Sequence, residues 1–260
     1  MSAELVFGLK NARLTHISDV ESGLNCGCLC PACGRRLVAK KGQIKKHHFA
    51  HEDRSECALA VESSLHLAAK DMINREKRLR LPAFSYGFGV GFETCVVEFD
   101  EVKVEANLGD IISDIFAYKN GRPLMVEIKV SHAVDGEKLI KIKEHGISAI
   151  EIDLSEINTN DMDALTYGVI DDPGNRKWLF NRLESQYRAQ VEAIKQQTRL
   201  KAWYMSEEGW YAWQCPIHPR PCCNDCPSFL GYDQNNQAGE DYRHNPDYIY
   251  CRGKLRDFKG

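Results

Sequence analysis

Eleven cysteines, clustered near the two ends of the chain, constrain the fold of this protein more than any other feature. Only Cys95 lies between the two clusters. The N-terminal residues contain neither the basic nor the apolar segment of a secretion signal, so we expect a reducing compartment, the cytoplasm. Disulfides are rare there, and clustered cysteines in such a protein more often bind metal. The pattern therefore predicts a metal-organised module at each end of the chain.

The composition is that of a globular protein, with 43% hydrophobic and 27% charged residues among 260. It excludes disorder, collagen and coiled coils, and no apolar run approaches the ~20 residues that a membrane helix needs. A net charge of −3 excludes a wholly basic protein but leaves room for a local basic surface. We expect a Cys-rich module over 1–57, an α/β domain over 58–175, and a helix with a second Cys-rich module over 176–260.

The N-terminal cysteines have the spacing of a zinc site. Two residues separate Cys30 from Cys33, which is half of a tetrahedral Cys/His site. The second half has to come from residues downstream: His47, His48, His51 or Cys57. The first choice of ligands is Cys30, Cys33, His51 and Cys57, with His48 as the main substitute and Cys26 and Cys28 as competitors. Unpaired surface thiols are the plain alternative.

A run of basic residues lies between the two halves of this site. Residues 34–48 contain no acid and six Lys or Arg residues: Arg35, Arg36, Lys40, Lys41, Lys45 and Lys46. Such a stretch can follow the phosphate backbone of a nucleic acid, and its four lysines are candidates for substrate binding. A solvated ribbon without a ligand is the alternative interpretation.

The segment 58–78 has the period of an amphipathic helix. Four apolar residues recur at helical spacing and should face a core: Val61, Leu65, Ala68 and Met72. Glu62, His66 and Lys70 are each four residues apart, so they share another face of the helix. That face is either a functional surface or a solvated one with favourable Glu–Lys spacing.

Three strand-like runs follow the helix. They are residues 92–99, 102–106 together with 111–118, and 123–130. Asn120 and Gly121 separate the last two runs, and Asn-Gly is the strongest two-residue hairpin signal, through a type I′ turn. In that register Lys119 pairs with Arg122.

The same register places ionisable side chains on one face of the hairpin. Asp114 lies opposite Glu127, with Cβ atoms roughly 4.5–5.5 Å apart. Two carboxylates so close repel each other unless a cation lies between them. Lys129 is two residues from Glu127 and points to the same face, while Ile128 points into a core. An exposed strand edge is the plain alternative.

The next two elements extend the hairpin. Residues 135–145 have the pattern of a helix that stops at Gly146, and residues 147–154 have that of a strand. With the strand at 124–130 they would form a right-handed crossover between parallel strands. The predicted order of the middle segment is therefore αβββαβ.

In this order the segment resembles the PD-(D/E)XK nuclease superfamily and, more narrowly, the competence CoiA-like nucleases. The resemblance covers about residues 26–155, and its motifs are specific as an ordered set although each is weak alone. They are Cys30-Pro31-Ala32-Cys33, His48-Phe49-Ala50-His51, Glu62-Ser63 with His66 and Lys70, Ser113-Asp114-Ile115, and Val126-Glu127-Ile128-Lys129 with Ser131-His132. Ser113 stands where the superfamily usually has proline.

The resemblance implies hydrolysis of phosphodiester bonds at a divalent cation, Mg²⁺ or Mn²⁺. Its ligands would be Asp114, Glu127 and the backbone carbonyl of Ile128. The metal would polarise a phosphoryl oxygen and lower the pKa of a water. Lys129 would hold the attacking water or stabilise charge on the phosphate.

Further residues of the resemblance would support this site. Glu62 would reach the metal through water or bind a second ion. His66 and Lys70 would contact the flanking phosphate or support Glu62. His132 would contact the catalytic residues without taking part in catalysis itself.

The function expected from the sequence is therefore that of a metal-dependent nuclease, acting on DNA rather than RNA and without a membrane. One alternative is a zinc-organised nucleic-acid-binding protein with an inactive nuclease fold. Another is a subunit of a DNA-uptake or phage-defence complex that acts with a partner. Formation of a homo-oligomer stays open.

The C-terminal segment predicts a helix and a second zinc site. Residues 176–201 show a basic amphipathic period, typical of a helix that binds nucleic acid or packs on a core. The first choice of ligands is Cys215, Cys223, Cys226 and Cys251, with Cys222 or His218 as substitutes. An iron–sulfur cluster is the rival, because thiolates bind both. The aromatic residues nearby would form a small core or stack on unpaired bases: Trp203, Tyr204, Trp210, Tyr211 and Trp213.

Overall fold

The computed structural model describes residues 4–85, 91–201, 204–205, 211–212, 229–232 and 248–251. The chain divides into two compact units. The first consists of Met1–Pro82 and Thr94–Asn181, and the second of Ala83–Glu93 and Arg182–Gly260. Within the described ranges, every helix is too short or too polar to span a lipid bilayer.

The fold is mixed α/β, as the sequence predicts. In chain order its elements are β1 (Phe7–Lys10), β2 (Arg13–His16), β3 (Leu37–Lys40), β4 (His48–His51), α1 (Ala60–Glu76), β5 (Arg78–Leu81), β6 (Phe84–Ser85), β7 (Gly91–Phe92), β8 (Cys95–Glu98), β9 (Glu101–Leu108), β10 (Ile111–Lys119), β11 (Arg122–Lys129), α2 (Gly136–His145), β12 (Ser148–Asp153), α3 (Met162–Ile170), β13 (Arg176–Phe180), α4 (Arg182–Thr198), β14 (Arg199–Lys201), β15 (Tyr204–Met205), β16 (Tyr211–Ala212), β17 (Phe229–Tyr232) and β18 (Tyr248–Cys251). Short 3-10 helices cover Ile17–Asp19 and Leu24–Cys26.

A five-stranded sheet in the order β13-β12-β11-β10-β9 forms the centre of the first unit. The N-terminal hairpins β1–β2 and β3–β4 belong to the same unit. One hydrophobic cluster contains both Phe7 and Leu37 of these hairpins and Ile115 and Val126 of the sheet. The N-terminal segment and the sheet therefore share a core.

Helix α1 follows the N-terminal hairpins and packs on this core. The predicted core-facing residues Leu65, Ala68 and Met72 are at most 4% exposed. The helix ends where Lys77 takes a left-handed backbone conformation, with φ 49°. The predicted helix and its buried face are confirmed, with Glu62, His66 and Lys70 left on a neighbouring face.

The β10–β11 hairpin has the predicted turn. Asn120 and Gly121 both have positive φ, 49° and 71°, as a type I′ turn requires. Lys119 pairs with Arg122, so the predicted register is confirmed.

The ladder of this hairpin changes character where the carboxylates lie. Regular pairing extends to Ile115 opposite Val126. At the next position the backbone N–H of Ile128 donates to Oδ2 of Asp114 over 3.0 Å. In an undisturbed ladder this N–H of Ile128 would donate to a backbone carbonyl, but here it donates to the side chain of Asp114.

Two of the strand-like runs differ from the prediction. The run read as 102–106 together with 111–118 is two strands, β9 and β10, because the chain turns at Gly109 with φ 70°. The run at 92–99 contributes β8, which pairs with β5 outside the central sheet. The three antiparallel strands after α1 are therefore β9, β10 and β11.

Helix α2 connects β11 to a parallel strand. It begins after Asp135, whose side chain accepts a hydrogen bond from the N–H of Lys138 over 2.7 Å, and it ends at Gly146 with φ 62°. Strand β12 then pairs in parallel with β11. The succession α1, β9, β10, β11, α2, β12 has the predicted αβββαβ order, with the four strands β5 to β8 inserted after α1.

The predicted helix over 176–201 is wrong at its start. Residues Arg176–Phe180 form β13, which pairs with β12 as an edge strand of the sheet, and the helix begins at Arg182. Leu179 and Phe180 pack against a second hydrophobic cluster around Phe116 and Met125. These apolar contacts explain why a segment with helical spacing joins the sheet.

Arg176 has a structural role in this strand. It is 6% exposed, and its guanidinium donates to the carbonyls of Arg80, Gly168, Val169 and Ile170 over 2.7–3.3 Å. Three of these carbonyls lie at the end of α3, where a helix leaves acceptors without partners. Burial lowers the pKa of Arg176 to about 10.

We expect Arg176→Met to lower the free energy of unfolding by about 2–4 kcal/mol, because buried carbonyls lose their donors. Chemical denaturation measures the change. The control is Arg122→Met, because Arg122 is exposed, and its effect should stay within about 0.5 kcal/mol. Equal stability of the two variants would contradict the structural role of Arg176.

Candidate metal centre and candidate active site

Four side chains of the N-terminal segment form a cluster that could hold a metal ion, here called the metal-binding cluster. The ligand atoms of Cys30, Cys33, His51 and Cys57 all lie within 4.8 Å of one another. His51 is the last residue of β4, and Cys57 lies three residues before α1 begins. The predicted first-choice set is the one that the fold brings together. It could hold a metal such as zinc, since Cys and His suit a tetrahedral Zn²⁺ site.

The backbone turn that contains Cys30 and Cys33 favours the thiolate form of Cys33. The N–H of Gly34 donates to the carbonyl of Cys30 over 2.9 Å, and Gly34 takes φ 72°, which favours glycine. The backbone N–H of Arg35 lowers the pKa of Cys33 to about 7, with Cys30, His51 and Cys57 contributing. A thiolate is the form that binds metal.

The substitute ligands lie elsewhere. Nδ1 of His48 is 3.1 Å from a carboxylate oxygen of Glu4. Cys26 and Cys28 are at most 1% exposed, and their thiols donate to the carbonyls of Leu37 and Cys26 over 3.2 and 3.5 Å. These two cysteines belong to the core of the N-terminal segment rather than to the cluster.

Asp114 is the most strongly perturbed carboxylate described. Its Oδ1 lies 2.9 Å from Nζ of Lys70 and 3.6 Å from Nδ1 of His66, both on α1. Burial alone would raise the pKa of Asp114, but His66, the N–H of Ile128 and Lys70 hold it well below its usual range. The carboxylate is therefore ionised. The sequence predicts that His66 and Lys70 contact phosphate or support Glu62. In the structure they contact Asp114 instead.

Glu127 lies on the neighbouring strand and is 4% exposed. Its Oε2 accepts a hydrogen bond from Nζ of Lys138 over 2.6 Å, whereas its buried Oε1 has no hydrogen-bond partner among the described residues. Burial raises the pKa of Glu127, the cation of Lys138 opposes that shift, and the charge of Asp114 adds to it. The charge of Asp114 thus acts on Glu127, and the hydroxyl of Ser113 lowers the pKa of Glu127 as well.

The other predicted catalytic residues have different partners. Nζ of Lys129 lies 2.5 Å from a carboxylate oxygen of Asp153 at the end of β12. Glu62 accepts a hydrogen bond from Oγ of Ser131 over 2.6 Å and lies 3.8 Å from Nδ1 of His132. Among the described residues, Asp114 and Glu127 do not form a cluster with a third His, Cys, Asp or Glu side chain that could hold a metal ion.

Two residues of this site were missed in the sequence. Lys138 contacts Glu127 from the first turn of α2. Glu151 lies beside Glu127 in the parallel register of β11 and β12, and it accepts from Nζ of Lys177 and the N–H of Val134 over 2.8 Å each. The predicted crossover placed β12 beside β11, so this register was the signal that could have found Glu151.

The basic residues of the run 34–48 differ in their contacts. Arg35 and Arg36 pair with Asp53 and Glu52 over 3.4 Å each. The ammonium of Lys41 donates to the carbonyls of Ser18 and Val20 over 3.1 and 2.8 Å. The remaining lysines of the run are exposed: Lys40, Lys45 and Lys46.

Most of the predicted C-terminal metal site lies outside the described residues. This holds for Cys215, His218, Cys222, Cys223 and Cys226, and for the tryptophans Trp203, Trp210 and Trp213. Cys251 lies in β18 and is 1% exposed. The second zinc site stays a prediction, as does the iron–sulfur alternative.

Comparison with known families decides the assignment of the N-terminal segment. Residues 15–60 match the family described as Competence protein CoiA, N-terminal domain. This segment is similar to the CoiA N-terminal domain. The match contains all four residues of the metal-binding cluster, so the chain is CoiA-like in the region where that cluster forms. The comparisons with curated proteins and with solved structures gave no match.

Proposed function

We propose that this CoiA-like protein is a metal-dependent nuclease of the PD-(D/E)XK type that hydrolyses phosphodiester bonds. The observation that carries the proposal is a pair of carboxylates on paired strands, buried Glu127 and half-buried Asp114, in which the charge of Asp114 raises the pKa of Glu127. The αβββαβ order around them supports it. Competence is the uptake of DNA, and the family description therefore favours DNA over RNA.

The donor set of this site fits a hard cation such as Mg²⁺ or Mn²⁺, which prefers carboxylate and carbonyl oxygens. Asp114, Glu127 and the carbonyl of Ile128 would hold it. When bound, such an ion supplies polarisation of a phosphoryl oxygen and a lower pKa of a coordinated water.

The protein's own residues have separate tasks in this proposal. Lys70 and His66 keep Asp114 ionised and oriented. Lys138 lies at Glu127 and Lys70 at Asp114, whereas Lys129 lies at Asp153, so Lys138 rather than Lys129 is the cation next to Glu127. Lys138 would then stabilise the charge that develops on the phosphate, and Lys129 would exchange Asp153 for the phosphate or the attacking water.

A second candidate is nucleic-acid binding without cleavage. It is favoured by the lysines themselves, because Lys70 and Lys138 already neutralise Asp114 and Glu127. In that case the carboxylates would have a structural task and would not require a divalent cation.

Incubation with labelled single- and double-stranded DNA and RNA, with and without Mg²⁺ or Mn²⁺, tests the proposal. We expect cleavage of DNA that requires the divalent cation. The cleavage activity should elute in the same size-exclusion fractions as the protein. Binding of DNA without metal-dependent cleavage of any substrate would favour the second candidate instead.

Lys138→Met is expected to slow cleavage by about 10²-fold, the usual cost of losing one group that stabilises transition-state charge. The Mg²⁺ concentration for half-maximal rate should not rise, because removing a cation makes the site more negative. Cleavage rates measured over a Mg²⁺ titration check both statements. Lys141→Met is the matched control, since Lys141 lies on the same helix and pairs with Glu137 over 3.0 Å. Equal cleavage rates for the two variants would contradict a role of Lys138 in catalysis.

A further inference from the structure

Two clefts flank the loop between β3 and β4. One, of about 770 Å³, is lined by Lys40, Lys41 and Lys45. The other, of about 420 Å³, is lined on one side by Lys45 and Lys46 of the same loop. We call the smaller one the loop cleft.

The far wall of the loop cleft comes from a distant part of the chain. Asn158 and Asn160, in the segment between β12 and α3, line it together with His16. Asn158 is exposed and Asn160 half-buried, so their amide groups are accessible to a ligand. All of these residues belong to the first compact unit.

The charges of the loop cleft have one sign. No Asp or Glu among the described residues lines it, although the chain has 37 acidic residues and a net charge of −3. The arginines of the basic run are neutralised by Asp53 and Glu52, but the exposed Lys45 and Lys46 have no such acid in this lining. Lysine ammonium and asparagine amide groups are the donors that proteins direct at phosphate oxygens.

Buried His16 adds a neutral polar wall. It is 5% exposed, and its Nδ1 lies 2.8 Å from Oγ of Ser18. Burial lowers the pKa of His16 despite the backbone of Thr159 next to the ring, and Nε2 makes no well-formed hydrogen bond with the described residues. The ring is therefore a buried polar part of the wall that adds no negative charge.

The loop cleft is linked to the candidate active site along the chain. Asp153, the partner of Lys129, is the last residue of β12. Asn158 and Asn160 follow within the same connecting segment, five and seven residues later. The segment that provides Asn158 and Asn160 therefore begins directly after the residue that contacts Lys129.

We propose that the loop cleft binds a backbone phosphate of the nucleic acid, with Asn158, Asn160 and Lys46 as donors. The inference rests on the proposed function for the identity of the ligand, and it adds a phosphate subsite that the basic run alone does not define. Phosphate contacts of this kind position the substrate without reading its sequence.

Binding titrations test the loop cleft without cleavage. The protein carries Asp114→Asn, no divalent cation is added, and fluorescence anisotropy follows labelled DNA at several salt concentrations. The test variant is Asn158→Asp with Asn160→Asp, which keeps side-chain size and adds two negative charges. Its control is Asn25→Asp with Asn74→Asp, two exposed positions outside the cleft that receive the same charge.

The test variant should bind DNA about tenfold more weakly than the control. Its plot of log K against log salt should be shallower by about 0.7–0.9, because the new carboxylates would neutralise Lys46 and release its phosphate. Equal loss of affinity in both variants would overturn the proposal, because charge alone would then explain it. Full competition by polyglutamate at equal charge would also overturn it, since the cleft would then accept any polyanion. If the double variant fails to fold, Lys46→Gln against Lys40→Gln gives the same comparison, because Lys40 lines only the larger cleft.

The outcome is separable from that of the proposed nuclease activity. Selective loss of binding in the test variant, together with a wild-type protein that does not cleave, would sustain the cleft and refute the nuclease. Metal-dependent cleavage by the wild-type protein, together with unchanged binding by the test variant, would sustain the nuclease and refute the cleft.

Discussion

Asp114→Asn and Glu127→Gln are each expected to lower metal-dependent cleavage by about 10³-fold or more, since each removes a charged ligand from the proposed cation site. Both changes keep the size of the side chain. Asparagine also retains an oxygen that can accept from the N–H of Ile128, which donates to Asp114 over 3.0 Å. Initial rates under single-turnover conditions measure the effect, and circular dichroism verifies the fold.

The control for these variants is Glu101→Gln. Glu101 is an exposed carboxylate on β9 that pairs with Lys103 over 3.4 Å. Its loss removes the same charge from the protein without touching Asp114 or Glu127, so cleavage should continue at the wild-type rate. An Asp114→Asn protein that cleaves as fast as this control would refute the assignment of the active site.

Cys33→Ser is expected to release one zinc ion and to lower the melting temperature by about 10 °C or more. Structural zinc binds with about 10–16 kcal/mol in zinc-finger peptides, and this free energy is coupled to folding. The loss should reach the candidate active site, because Cys57 lies just before α1 and its carbonyl accepts from the N–H of Ala60 over 3.1 Å. Elemental analysis and thermal unfolding measure the two effects.

Elemental analysis of the wild-type protein should give close to two zinc ions for each chain, one from each Cys-rich end. Cys95→Ser is the matched control for the thiol change, because Cys95 is exposed and lies outside the cluster. It should keep both ions and the wild-type melting temperature. A Cys33→Ser protein with full zinc content and unchanged stability would show that the cluster does not hold the metal.

The sequence predicted best where local chemistry decides the structure. Asn120 and Gly121 require a turn with positive φ at both positions, and that turn alone sets Lys119 opposite Arg122. The four residues of the metal-binding cluster were predictable for a similar reason. A Cys-x2-Cys pair needs two more ligands nearby, and the antiparallel pairing of β3 with β4 places His51 at the end of its strand.

Prediction was weakest where distant parts of the chain compete for the same residues. The segment at 176 has helical spacing, but Leu179, Phe180 and the buried Arg176 gain more from joining the sheet and the end of α3. Lys129 shares a face with Glu127 in the hairpin, yet β12 brings Asp153 beside it, and the two form an ion pair. A strand period gives the face of a side chain but not its partner on the next strand.

Titration of the zinc-loaded protein with Mn²⁺ tests the central claim, that Asp114 and Glu127 together bind a divalent cation. Mn²⁺ is a weaker competitor than Zn²⁺ for Cys and His ligands, so it should leave the zinc sites occupied. Electron paramagnetic resonance measures free Mn²⁺ during the titration. We expect at least one bound Mn²⁺ in the wild-type protein and about tenfold weaker binding in Asp114→Asn, whereas equal Mn²⁺ binding by the two proteins would contradict a cation site at Asp114 and Glu127.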